Sequence, residues 1–213
     1  MRRWLAVIMM IALACALMAG CGGTAKTPED TPLEKLLDRS AKERPAWTLK
    51  KPETKGGVMY IVGISMDMAN EQLGRSRAMA NARTEMSNYL GTLVKAKIEQ
   101  ANVDFGLASD VVDPTTSARE YVKQMSANFV AQLEGEEFYW ERWQKLTGIG
   151  YRYFALCKIP QDMVNDSFRG EAAKRMQDAQ RRAKEQSDRV AKEQLEKAGT
   201  MWAQLEQQGL FKD

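Results

Sequence analysis

The chain has no histidine in its 213 residues. That absence removes the commonest general base, the commonest metal ligand and the side chain that most often changes charge near neutral pH. Chemistry would fall to carboxylates, lysine or a thiol. Cysteine is almost as scarce, with only Cys15, Cys21 and Cys157. The first two fall within or just after an N-terminal apolar stretch, so a single thiol is left in the body of the chain and no disulfide framework is available there. An excess of either charge is also missing. The 31 Lys and Arg stand against 28 Asp and Glu, and without Arg2 and Arg3 the balance is 29 to 28. A nucleic-acid binder normally shows a basic face, so nucleic acid is not an expected partner. The one long apolar stretch, Trp4 to Met18, has 15 residues, short of the roughly 20 that a membrane-spanning helix needs.

What is present begins at the N-terminus. Met1-Arg2-Arg3 is followed by Trp4 to Met18, 15 uncharged residues made mostly of Ala, Leu, Ile and Met. A basic start, a short apolar stretch and small residues after it form the tripartite order of an export signal. Leu17-Met18-Ala19-Gly20-Cys21 then resembles the bacterial lipobox, in which small residues precede the cysteine that is cleaved to and acylated. The resemblance implies that residues 1–20 are a lipoprotein signal peptide and that Cys21 carries the lipid (palmitate and related acyl chains). Each buried acyl methylene contributes about 0.8 kcal/mol, so several chains hold a protein on a membrane. Gly22 and Gly23 lack the aspartate that retains lipoproteins at the inner membrane, which points to the outer membrane of a diderm host, facing the periplasm.

Residues 22–30 are rich in Gly, Thr, Lys and Pro and read as a tether. Thr31-Pro32 before Leu33, Leu36 and Leu37 predicts a short capped helix, so residues 21–44 form a tether with one short helix. Val58 to Ile64 is a β-branched and aromatic run bounded by Gly56-Gly57 and Asp67, which predicts a buried strand. From Asn70 to Gln100 the period becomes helical, with Leu73, Ala82, Met86, Leu90, Leu93, Val94 and Ile98 near one face. A loop through Pro114 leads to a second helix, capped by Thr115 or Thr116, in which Val122, Met125, Phe129 and Leu133 recur at threes and fours. Glu137 to Trp143 alternates, with Phe138, Trp140 and Arg142 on one side and Tyr139, Glu141 and Trp143 on the other. Tyr151 to Ile159 is another aromatic run, and Thr147-Gly148-Ile149-Gly150 between them marks a hairpin. The resulting fold class is α+β, a small antiparallel sheet of about three strands with two amphipathic helices on one face. After Pro160 a charged, proline-free segment predicts one long C-terminal helix. Its stripe of Ala172, Met176, Ala179, Ala183 and Val190 suits self-association as an arm spanning 161–213.

Arg44-Pro45-Ala46-Trp47, the strand Tyr60-Ile61-Val62-Gly63-Ile64, the helix stretch Arg77 to Met86 and the strand Tyr151 to Pro160 together resemble the LPP-twenty-like lipoprotein family. That family includes small flagellum-associated outer-membrane lipoproteins. The resemblance covers about residues 44 to 160 and implies an α+β domain, here placed at 45–160, an envelope location and no established catalytic residue.

Few side chains in the body of the chain invite chemistry. Cys157 sits in an apolar alternating strand and reads as a small core residue. Glu134, Glu136 and Glu137 read as a solvated helix-to-strand turn rather than a hydrolytic pair. Tyr139, Trp140, Trp143, Tyr151 and Tyr153 form a possible ligand or partner surface, since flat rings stack on sugars. The expectation is a non-enzymatic, lipid-anchored envelope protein without cofactor or metal, contacting other envelope proteins. The alternative is a peptidoglycan or glycan-binding module using the hairpin aromatics.

Overall fold

A computed structural model describes residues 34–50, 52–108, 110–128 and 132–211. The leader, the lipobox cysteine and the tether at 1–33 lie outside the described residues, which belong to one compact unit beginning at Glu34. Five strands are present: β1 (Glu34–Arg39), β2 (Glu53–Lys55), β3 (Val58–Met68), β4 (Glu134–Lys145) and β5 (Gly148–Pro160). Four helices accompany them: α1 (Glu71–Phe105), α2 (Pro114–Asn128), α3 (Gln161–Glu185) and α4 (Arg189–Gln208). The strands form a single antiparallel sheet in the order β1-β4-β5-β3-β2. The α+β class stands, but the described residues hold five strands rather than about three, and four α-helices rather than the two plus one expected.

The two extra strands carry weak local signals. β1 occupies the stretch expected to be a short helix. Its sequence Glu-Lys-Leu-Leu-Asp-Arg has no β-branched residue, and it is held by backbone pairing with β4 and by ion pairs to β4 and β5. Glu34 pairs with Lys145 at 3.2 Å and with Arg152, and Asp38 lies 3.5 Å from Arg142. β2 has three residues and exists because Gly56 and Gly57 both take positive φ, +57° and +73°, closing a two-residue hairpin onto β3.

α1 runs 35 residues, about 52 Å, whereas the 11 residues of β3 span only about 36 Å. The helix therefore overhangs the sheet. Its buried residues recur every fourth position, as Gly74, Ala78, Ala82, Met86, Leu90, Val94 and Ile98, and they change size along the way. Small residues lie over the strands and large ones lie where the helix goes on to meet α2 and α4. Helix and strand backbones come close at Gly63 of β3, where a Cβ would lie 2.0 Å from the Ala78 carbonyl oxygen. Leu73, expected on the buried face, is 53% exposed. Asn70 caps α1 by accepting from the Leu73 N–H at 2.9 Å, and Gly106 ends it in the left-handed region.

α2 is capped by Asp113 rather than by either threonine. Its carboxylate accepts from the N–H groups of Thr115 and Thr116 at 3.0 and 3.2 Å, with Pro114 in the first turn. Of the stripe expected on α2, the side chain of Met125 and the whole of Phe129 lie outside the described residues, while Leu133 is buried. The C-terminal segment is a helical hairpin, not one long helix. α3 ends before Gln186, and Asp188 caps α4 by accepting from the Ala191 N–H at 2.8 Å. Val190, expected in the apolar stripe, is 67% exposed. Leu195, Ala198, Met201, Trp202 and Leu205 are buried instead, and all but Leu195 belong to the same core as Ile61, Ala155, Ile98 and Phe168. Asn165 fastens the end of the chain, its side-chain oxygen accepting from the Leu210 and Phe211 N–H groups, each at 2.9 Å. Residues 161–211 are thus part of the domain's interior rather than an arm beside it.

Candidate functional site

The antiparallel hairpin β4–β5 sorts its side chains by parity, as the alternation of Glu137 to Trp143 predicts. Trp140 pairs across with Tyr153 and Arg142 with Tyr151, and these rings face the helices. Tyr139 pairs with Phe154 and Glu141 with Arg152, and these face away. The five rings expected to form one surface are therefore divided between the two sides of the sheet. Tyr139 and Tyr153 are also buried, at 1% and 2% exposure. Trp140 sits edge-on to Tyr151, with ring centres 6.0 Å apart, and Tyr151 stacks on Tyr153. Trp143 lies under the Arg152 guanidinium at 4.6 Å. A flat, open array of hairpin aromatics does not exist.

What the outer face does hold is a buried carboxylate. Glu141 is 2% exposed and both its oxygens are occupied. Arg44 binds it through two nitrogens, Nε at 2.7 Å and Nη2 at 2.6 Å, while Tyr139 Oη donates at 3.1 Å and Trp143 Nε1 at 3.0 Å. Burial works to raise the Glu141 pKa, but the hydrogen bonds from Arg44, Trp143 and Tyr139 outweigh it and hold the carboxyl below its ordinary value. The same bond to Glu141 raises Arg44 further. Arg44 also rests on the Phe154 ring, 5.3 Å from its centre. With four donors around it, Glu141 has a fixing role: it pins the segment that carries Arg44, Pro45 and Trp47 against the sheet.

That segment roofs part of the outer face. Trp47 donates its indole N–H to Glu137 at 2.6 Å, and Thr48 is buried beneath the 3-10 turn Ala46–Leu49. A hollow of about 280 Å³ remains between Trp47, Tyr60, Val62 and Leu156, rimmed by Lys50, Lys55, Glu136 and Glu137. Glu134, Glu136 and Glu137 belong to β4 rather than to a turn. A register shift separates Gly135 from Glu137, and Glu136 pairs with Lys158. Two of the three acids are thus engaged separately and do not face one another as a pair.

Cys157 is fully buried, and desolvation pushes its thiol up to about 11. It packs against Met79, sulfur to sulfur at 3.3 Å. Among the described residues no group of three acidic or cysteine side chains is placed to hold a metal ion. No described helix is long and apolar enough to cross a membrane. Strand alternation places Glu141 on the face of Tyr139 and Trp143 but gives no hint of its partner 97 positions away. No local signal marks that pairing. No family model, no curated protein and no solved structure matches this chain.

Proposed function

We propose that the chain is a lipid-anchored protein of the bacterial outer membrane, facing the periplasm, with a non-enzymatic role in holding other envelope proteins, in an outer-membrane or flagellum-associated assembly. The observation that carries this reading is the order Arg2-Arg3, a 15-residue uncharged stretch and Leu17-Met18-Ala19-Gly20-Cys21. The resemblance of residues 44 to 160 to the LPP-twenty-like lipoproteins supports the envelope setting. The start of β1 at Glu34 leaves 12 residues, 22–33, between the acylated cysteine and the first strand. Twelve residues reach at most about 45 Å when extended, so the anchor restricts the domain to the neighbourhood of its membrane.

Metabolic labelling with radioactive palmitate tests the anchor. Label is expected in the wild-type chain and absent from Cys21→Ser. Equal label in both would overturn the reading.

A further inference from the structure

Among the described residues β1 is unpaired along one edge of the sheet, and the other edge is only partly covered. β2 pairs only with Val58 to Tyr60, so β3 from Ile61 onward has no neighbour on that side among the described residues. In the two-residue hairpin Lys55 and Val58 exchange both backbone bonds, which sets the pattern: Tyr60, Val62, Ile64 and Met66 all aim their N–H and C=O groups at this edge. Ile64 and Met66 are 39% and 48% exposed. A hollow of about 500 Å³ lies along the edge between Val62, Ile64, Lys50 and Pro52 on one side and Asn81, Thr84 and Glu85 of α1 on the other. Asn81 reaches down to the strand and donates to the Ile64 carbonyl at 2.6 Å.

We propose that this edge is where a second copy of the chain docks, β3 against β3, about a twofold axis at Ile64. The reason is self-complementarity on two elements at once. On the strand, a twofold at Ile64 pairs Ile64 with its own copy and Val62 with Met66 of the other copy. On the helix, the flank above the edge centres on Asn81, with Arg77 and Glu85 one turn to either side, each preceding a buried position of α1, Ala78, Ala82 and Met86. Asn81 is bonded to Ile64, so the same axis passes beside it. The two flanks then run antiparallel. Arg77 meets Glu85 of the other copy, and Asn81 meets Asn81. Arg77 and Glu85 are exposed and have no ion-pair partner among the described residues.

The spacing also suits two helices. Strands lie about 4.8 Å apart, and α1 covers β3 and β5 together, so each helix axis would stand about 5 Å from the twofold. Two α1 helices about 10 Å apart are at normal packing distance. The Ile64 carbonyl has a second lone pair for the incoming N–H while Asn81 keeps the first. The register shift after Ser65 and the positive φ of Asp67, +60°, turn β3 away from the edge beyond Met66.

Charge reversal separates this arrangement from others. Sedimentation equilibrium is run at micromolar concentrations on the chain from residue 21 onward carrying Cys21→Ser. A dimer is expected. Arg77→Glu and Glu85→Arg each put like charges together at two symmetric places, and each alone should weaken dimerisation by about tenfold or more. An equimolar mixture of the two variants restores both attractive pairs and should form a heterodimer as tight as the wild type, to within about threefold. Circular dichroism matching the wild type shows that both variants fold. A monomeric wild type would overturn the proposal, as would single variants that dimerise normally or a mixture that fails to recover. Association with an extended peptide in place of a second copy would overturn it as well.

Discussion

Glu141 shows how one buried charge can be made stable. A carboxylate taken out of water costs several kcal/mol unless its lone pairs are filled, and here a guanidinium, a phenol and an indole fill them. Because the folded pKa lies below the unfolded one, the linkage has a definite sign. The stabilisation is complete above the unfolded carboxylate value of about 4.3 and is lost as pH falls through the lower folded value. In Glu141→Gln the acid-dependent loss should shrink, and stability at neutral pH should drop because Arg44 is left without its counter-charge, by about 3 kcal/mol. Urea unfolding at pH 7 and at pH 4 checks this. A variant as stable as the wild type at pH 7 would show that the Arg44 clamp contributes nothing. The Tyr139-Glu141-Trp143 alternation is legible in the sequence alone, since parity in a strand is local. Arg44 is visible there only as part of a motif, because its partner lies in a strand separated from it by two helices.

At the scale of elements, α1 and the C-terminal hairpin make opposite points. The every-fourth-residue stripe of α1 can be read directly, yet Leu73 is exposed. Strict spacing by four drifts about 40° per step around a helix of 3.6 residues per turn, and the drift carries the apolar face away from Leu73's side. In α3 and α4 the small residues Ala172, Ala179 and Ala183 do lie inside, but the energy comes from Met201, Trp202 and Leu205 of the second helix. Trp202 is 4% exposed and stacks under Arg175, which lies 5.2 Å from its ring centre and also binds Glu171 and Glu120. Trp202→Ala should cost about 3 to 5 kcal/mol. Denaturant titration measures it, and a loss below about 1 kcal/mol would mean that the hairpin is an appendage after all.

For the whole molecule the decisive feature is that one apolar cluster runs from the inner face of the sheet through α1 and α2 into α3 and α4. A domain with a single core unfolds as a unit. Calorimetry of the chain from residue 21 onward should show one transition whose calorimetric and van't Hoff enthalpies agree. Two resolved transitions would divide the sheet from the C-terminal helices. The proposed dimer would raise the melting temperature with concentration, since association favours the folded state by mass action.

The identity of most elements was settled by the sequence itself, because helix and strand periods, caps and tight turns depend on neighbours a few positions apart. Gly56-Gly57, Asn70 and the β4–β5 alternation all act locally. Tertiary structure alone decided the rest. β1 is a strand because β4 offers Lys145, Arg142 and a row of backbone groups to pair with. Glu141 is buried because Arg44 folds over it. The charged C-terminal segment belongs to the core because its second helix turns back on the first. The edge of β3 stays open because β2 stops after three residues. Each of these depends on which distant segments meet, and that information is carried by no single stretch of the chain.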